Sequence, residues 1–351
     1  MPDRIGFEFP VDPAEQWDGF NNPGIEYYTG SPYHGLGRET TQNSLDAMAG
    51  QPAKVEFRLI EVPTQEVPGI AELKEVITRC LEAAKESNKA RTFFESAVDI
   101  VNAPKIKVLQ IADHNTTGLK GPCQNGSPYF ALLKASGQSV KDDTSIGSYG
   151  IGKFAPFAVS GLRTVFISTV WRDKQEWKHY VQGKAVLMSH YDRHHRIRQG
   201  TGFWGHTEKC LPVEDLEDVP IWLRRAHDRD TLEEAIGTTL SILGFQPEKS
   251  WRSKIAAVTA ENFFGAIERS ALEVAIHGGH SIDRITLRKV FYDQGVEQSI
   301  SELKGEPESF TSSRLFLDVI SDGTPGVVIE HCENANLGKM RVQATGARGL
   351  A

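Results

Sequence analysis

Gly147-Ser148-Tyr149-Gly150-Ile151-Gly152-Lys153-Phe154 sets three glycines ahead of and into the start of a helix. Backbone N–H groups exposed by such a turn, with the positive end of the helix dipole behind them, can meet phosphate oxygens. Lys153 adds a mobile cation there. The same eight residues exclude two familiar phosphate-binding folds. A P-loop needs Gly-Lys followed by Ser or Thr, where this chain has Phe154, and the dinucleotide fingerprint does not fit either. Downstream, Lys153 to Val159 reads as helix, and Leu162–Trp171 and Trp177–His190 read as strands joined by a turn around Asp173.

Upstream, Lys105 to Ala112 is a strand that ends on Asp113, within Ile111-Ala112-Asp113-His114-Asn115-Thr116-Thr117-Gly118-Leu119. An acid there can accept a hydrogen bond from an exocyclic amine, Gly118 lets the backbone approach a ring closely, and Asn115 tolerates a left-handed turn. An ordinary Asx turn accounts for the same residues equally well. Between the two segments, Leu119 to Ile146 is polar and turn-rich, the composition of a mobile cover.

Further upstream stands Glu39-Thr40-Thr41-Gln42-Asn43-Ser44-Leu45-Asp46-Ala47. Arg38 to Met48 reads as a short helix with Leu45 and Met48 toward the core, stopped by Gly50 and Pro52. Glu39 and Asn43, four residues apart, share one face. A carboxylate that orients water and an amide that ligates magnesium are what a reacting γ-phosphate requires. A solvated helix face is the plainer account of the same pattern. Lys54–Val62 alternates as a half-buried strand, while Ile70, Leu73, Val76, Ile77, Leu81 and Ala84 are spaced for an amphipathic helix, with a second helix over Arg91–Val101.

The chain has 351 residues, 39% of them apolar and 24% charged, enough for one large domain or two ordinary ones. No apolar run reaches membrane-spanning length, and the N-terminal residues lack a secretory apolar core, so a cytoplasmic protein is expected. Cys80, Cys123, Cys210 and Cys332 lie too far apart for a zinc knuckle or a disulfide framework and read as buried thiols. A net charge of −7 excludes an all-over basic surface. Arg193-His194-His195-Arg196-Ile197-Arg198 and Arg224-Arg225-Ala226-His227-Asp228-Arg229 leave room for a local strip that meets DNA, although clustered cations are more often solvated surface.

Taken in order, the three segments resemble the N, G1 and G2 boxes of GHKL ATPases, the family of gyrase, heat-shock-ninety chaperones, histidine kinases and MutL. The N box is nearest to MutL, and the G2 box to the chaperones and to MORC proteins. Ala235-Ile236-Gly237-Thr238-Thr239-Leu240-Ser241-Ile242-Leu243 resembles the family's late Gly-Thr strand, so the likeness spans roughly residues 35 to 270. It departs at the second box, where Asn115 replaces the first glycine and Gly118 comes one position late.

The resemblance implies a Bergerat-type α+β sandwich: a mixed, mostly antiparallel sheet covered by helices. It implies ATP and Mg2+ as cofactors, with Glu39 activating water, Asn43 holding the metal and Asp113 reading adenine. Asp46, Asn115, Gly118, Gly147, Gly150, Ile151, Gly152 and Lys153 would line the nucleotide site, Lys153 also as a catalytic cation, with Thr239 near the adenine-binding acid. Three parts are expected: an arm over 1–35, the ATPase domain over 36–270, and a smaller β-rich segment over 271–351 with strands near Leu272–Ile276, Arg284–Tyr292, Leu315–Ile320 and Val327–His331. The end at Ala351 suggests continuation into an effector region or a downstream partner protein. The function expected is an ATP-driven switch that forms a homodimer, with the aromatic arm Phe20–Tyr33 reaching across, and that acts on DNA in repair or antiviral defence. A nucleotide sensor without turnover and a protein kinase are the alternatives.

Overall fold

The computed structural model describes residues 4–135, 150–225, 234–303, 307–321, 327–331 and 339–343. Gly147, the rest of 136–149, and Ala226 to Arg229 of the second basic stretch lie outside the described residues. The chain runs β1 (Ile5–Glu8), α1 (Pro23–Thr29), α2 (Pro32–Asp46), β2 (Ala53–Pro63), α3 (Ile70–Ala83), α4 (Asn88–Asn102), β3 (Lys105–His114) and α5 (Pro128–Leu133). It continues through α6 (Ala155–Ala158), β4 (Thr164–Asp173), β5 (Glu176–Val186), β6 (His190–Tyr191), β7 (Ile197–Arg198), β8 (Thr201–His206), β9 (Gly237–Leu243) and α7 (Trp251–Glu268). Last come β10 (Leu272–Ile276), β11 (Ser281–Ile282), α8 (Leu287–Phe291), α9 (Gln294–Glu302), α10 (Pro307–Ile320), β12 (Val327–His331) and β13 (Lys339–Gln343).

One sheet of nine strands organises the molecule, in the order β1-β8-β5-β4-β9-β3-β2-β10-β11. Every neighbouring pair is antiparallel except β10, which runs parallel to β2 with Val274 opposite Val55. Strand side chains alternate between faces, and both faces are covered. Val55, Phe57, Leu109, Ile111, Val165 and Ile167 share one core with Leu36 of α2 and Ile255 and Val258 of α7. Val62, Ile106, Val108 and Phe166 share the other with Leu73 and Ile77 of α3 and Phe94 of α4. The α+β class is therefore observed, with a large, mostly antiparallel sheet between helical layers.

Three expectations are corrected. The N-terminal segment is not an arm: β1 pairs with β8 as the edge of the main sheet, and Phe7, Phe9, Phe20, Ile25, Tyr28 and Tyr33 are buried. Its aromatic richness reflects core burial. Arg163 fastens it, its Nη1 donating to the Phe20 carbonyl at 2.6 Å while the guanidinium lies 3.7 Å from the Phe20 ring centroid and ion-pairs with Glu26 of α1. The boundary at 271 is not a structural one, because β10 and β11 extend the main sheet. The segment beyond them is mostly helical rather than β-rich: Leu287, Val290 and Phe291 follow helical spacing and are buried, and with Val296, Ile300, Phe310 and Leu317 they join the core that contains α7. Of the late strands expected there, Leu272–Ile276 and Val327–His331 are present, while Leu315–Ile320 lies in α10.

Candidate functional site

The register of the sheet centre builds the acidic end of the site. Ala112 of β3 lies opposite Thr239 of β9, so Asp113, one residue further out, faces Thr238. The Thr238 N–H donates to Asp113 Oδ1 at 2.8 Å, and the Thr116 hydroxyl donates to the same oxygen at 2.6 Å. Among the described residues both bonds end on Oδ1, which leaves Oδ2 to accept from a ligand. Gly237 makes the approach possible, since a Cβ there would stand 2.5 Å from Asp113 Oδ1.

Arg225 ties the ends of β3 and β9 together. Its Nη1 donates to Thr239 Oγ1 at 2.8 Å and its Nη2 to the Ile236 carbonyl at 3.1 Å, with further bonds to the carbonyls of Asp113 and Ala235. Burial pulls the guanidinium down to about 10, against the opposing pull of the Asp113 and Glu56 carboxylates. Thr238 therefore donates to the acid itself, whereas Thr239 is linked through Arg225 to the Asp113 backbone carbonyl.

The turn after Asp113 is fixed on three sides. Gly118 adopts a left-handed φ of 67°, and a Cβ would fall on the Val170 carbonyl oxygen of β4. The Leu119 N–H donates to Thr169 Oγ1 at 2.8 Å, and the Thr169 hydroxyl donates to the Gly237 carbonyl at 3.1 Å. Asn115 is left-handed too, at φ 57°. Its amide donates to the Pro52 carbonyl at 2.7 Å, and its own carbonyl accepts from the N–H groups of Ala49 and Gly50 at 2.8 and 3.0 Å. Asn115 thus supports the turn, with its amide directed at the chain before β2.

Helix α2 joins the motifs. Its C-terminal end is tied to the turn by the Thr117 N–H, which donates to the Ala47 carbonyl at 2.8 Å. Two turns back, the Glu39 carboxylate lies against Gly152, where a Cβ would come within 3.1 Å of Glu39 Cδ. Glu39 is half-buried and Asn43, one turn on, is exposed. Asp46 is exposed as well and accepts from the Gln42 amide at 2.6 Å. Tyr28, buried on α1 beside Gly35, faces Glu39: burial first, and then the Glu39 carboxylate, push the phenol well above its ordinary range.

The glycine turn is described from Gly150, which has a φ of 68°. The Ile151 carbonyl accepts from the Phe154 N–H at 2.9 Å and begins a short 3-10 turn over Gly152–Phe154 that leads into α6. Lys153 is not beside Glu39 here. Its Nζ donates to the carbonyls of Ala131 at 3.0 Å and Ala135 at 2.5 Å, at the end of α5, and burial lowers its pKa.

The structure thus brings Glu39, Gly152, Asp113 and Gly118 around α2 and the sheet end, with Asn43 on the exposed face of the same helix. Thr238, Arg225 and Tyr28 escaped sequence reading. The Gly237-Thr238 pair was the signal for the first, whereas Arg225 was hidden in a stretch that reads as basic surface. In the other basic stretch, Arg196 and Arg198 ion-pair with Asp192 at 2.9 and 3.0 Å, and Arg198 also pairs with Glu8 at 2.7 Å; Arg193, His194 and His195 are exposed, as is Arg196.

Among the described residues no group of three His, Cys, Asp or Glu is placed to hold a metal ion. No described helix is long and apolar enough to cross a membrane. Comparison of the chain with protein-family models and with curated proteins gives no match.

Proposed function

We propose that the chain is a magnesium-dependent, ATP-hydrolysing conformational switch of the GHKL type with a Bergerat-type site. The observation that carries this reading is the placement of α2, whose end is tied to the Asp113–Gly118 turn while its Glu39 carboxylate rests on Gly152 of the glycine turn. An acid for a base edge, a carboxylate for water and glycine-exposed backbone for phosphates are thereby held on one helix and one sheet end.

In this reading Asp113 Oδ2 accepts the amino group of adenine, and Gly118 and Gly237 keep the surface open to the ring. Glu39 takes the proton of the attacking water, positioned from the far side by the Tyr28 phenol. Asn43 offers its amide oxygen to magnesium, which when bound supplies charge neutralisation at the reacting phosphate. ATP binding then drives two copies together, and hydrolysis releases them. DNA is the proposed client, met through Arg193, His194 and His195, and stimulation of ATPase turnover by DNA is the corresponding measurement.

Glu39→Ala tests the reading. Phosphate release should fall by about two to four orders of magnitude, while ATP affinity stays within about twofold, because the carboxylate acts on water and not on the base. Unchanged turnover would refute hydrolysis by this residue. Loss of ATP binding in the wild-type chain would refute the whole reading, and label transferred from ATP to the protein would favour the kinase instead.

A further inference from the structure

We propose that Lys134, Lys153 and Lys184 form a binding site for condensed phosphate anions at the carbonyl end of α5. The site needs no nucleoside and so goes beyond the function proposed above.

Lys184 is the least expected of the three. It lies inside β5 opposite Phe203 of β8, is 8% exposed, and its Nζ donates to the Leu133 carbonyl at 2.6 Å. Burial, then Lys153, then Lys134 push it down to about 7. Lys134 follows α5 directly and sets its ammonium 3.7 Å from the Phe203 ring centroid, with the Lys184 ammonium 5.7 Å from the same point. Lys153 comes from the glycine turn to the carbonyls of Ala131 and Ala135. Lys153 and Lys184 therefore donate to carbonyls at the end of α5, while Lys134 shares the Phe203 ring with Lys184.

Among the described residues no carboxylate pairs with any of them. The groups that favour the charged form of Lys134 are the thiols of Cys210 and Cys123. Neutral carbonyl oxygens and an aromatic face hold the cluster together. A helix C-terminus favours a nearby cation, and a buried lysine without an anion is costly. Phosphate oxygens are the charged equivalents of the carbonyls that Lys153 and Lys184 now use, and lysine binds phosphate as a compact point charge. Two or three linked phosphates match three cations, and they occur both as free pyrophosphate or triphosphate and as the tail of a nucleotide.

The test is calorimetric titration of the full chain with pyrophosphate at fixed ionic strength, comparing wild type with Lys134→Met, Lys184→Met and the surface control Lys107→Met. Saturable binding should weaken at least about tenfold in the first two variants and change less than about twofold in the control. Thermal melting establishes that each variant is folded, and Lys134→Met, at a half-buried position, keeps the test decisive should Lys184→Met unfold. Absence of saturable pyrophosphate binding, or equal affinity in wild type and Lys134→Met, overturns the site. ATP and adenosine form the second arm. If ATP weakens with pyrophosphate in the variants while adenosine does not, the site holds a nucleotide tail. If pyrophosphate responds to the lysines but adenosine does not bind at all, the site stands for free phosphates and the nucleotide reading fails alone.

Discussion

At Asp113 one carboxylate oxygen accepts two protein hydrogen bonds, and the proposed function gives the other to the amino group of adenine. Asp113→Asn preserves the shape but removes the charge that strengthens a hydrogen bond to an amine, so ATP affinity should drop by roughly tenfold or more in an equilibrium titration. Equal affinity would remove Asp113 from base recognition. His179 of β5 carries a different consequence. It is 8% exposed, and burial, resisted by the nearby Glu214 backbone carbonyl and reinforced by the Arg224 charge, pushes it down to about 4. An unfolded histidine titrates near 6.5, so folding excludes a proton here. The stability this represents, ~3 kcal/mol, is complete above pH 6.5 and is lost as the pH falls through about 4. His34, His114 and His190 are lowered by burial as well and act in the same direction. Urea midpoints at pH 7 and pH 4.5 should separate markedly in the wild type and less in His179→Phe; equal separations would dismiss His179 as the source.

Among the elements, α2 shows best what could and could not be read. Its polar Glu39-Asn43 face followed from helical spacing alone. Its start did not, because Gly35 and Gly37 read as loop residues while the observed helix begins at Pro32. Those glycines serve packing: a Cβ at Gly35 would overlap the Tyr28 ring, and one at Gly37 would lie 3.1 Å from Val258 of α7. Leu45 and Met48, expected to anchor the helix, are half-buried, while Tyr33, Leu36, Thr40, Thr41 and Ser44 carry the buried face. The turn after β3 is the second critical element. Gly118→Ala would place a side chain on the Val170 carbonyl in a left-handed conformation, and a loss of about 2–4 kcal/mol in chemical denaturation is expected. A loss below about 0.5 kcal/mol would mean that the turn relaxes freely.

For the whole molecule, the question is how two copies could meet. The N-terminal segment is part of the sheet, so it does not swing across to a partner as a detached arm. Of its aromatic residues from Phe20 to Tyr33, Phe20, Tyr28 and Tyr33 are buried, whereas Tyr27 on α1 is 70% exposed. Light scattering with a non-hydrolysable ATP analogue should report a doubled mass, and Tyr27→Ala should prevent the doubling without lowering the melting temperature. An unchanged monomer mass in the wild type would reject the clamp. The exposed Arg193, His194 and His195 sit in the β6–β7 hairpin, a two-stranded sheet separate from the nine-stranded sheet whose β3 carries Asp113, so DNA stimulation would have to pass from one to the other.

Periodicity and glycine placement were enough to declare the central strands, the α3–α4 pair, the α2 face and the acid at the end of β3, because each depends on neighbours a few residues away. Only the tertiary structure decided that Thr238 rather than Thr239 touches Asp113, since that depends on the β3–β9 register. It also decided that Arg225 is a half-buried brace, that Lys153 is drawn to the carbonyl end of α5, and that α8, α9 and α10 are helices. Each of these is a competition between partners distant in sequence, settled by which desolvated charge or apolar face finds a match when the layers close.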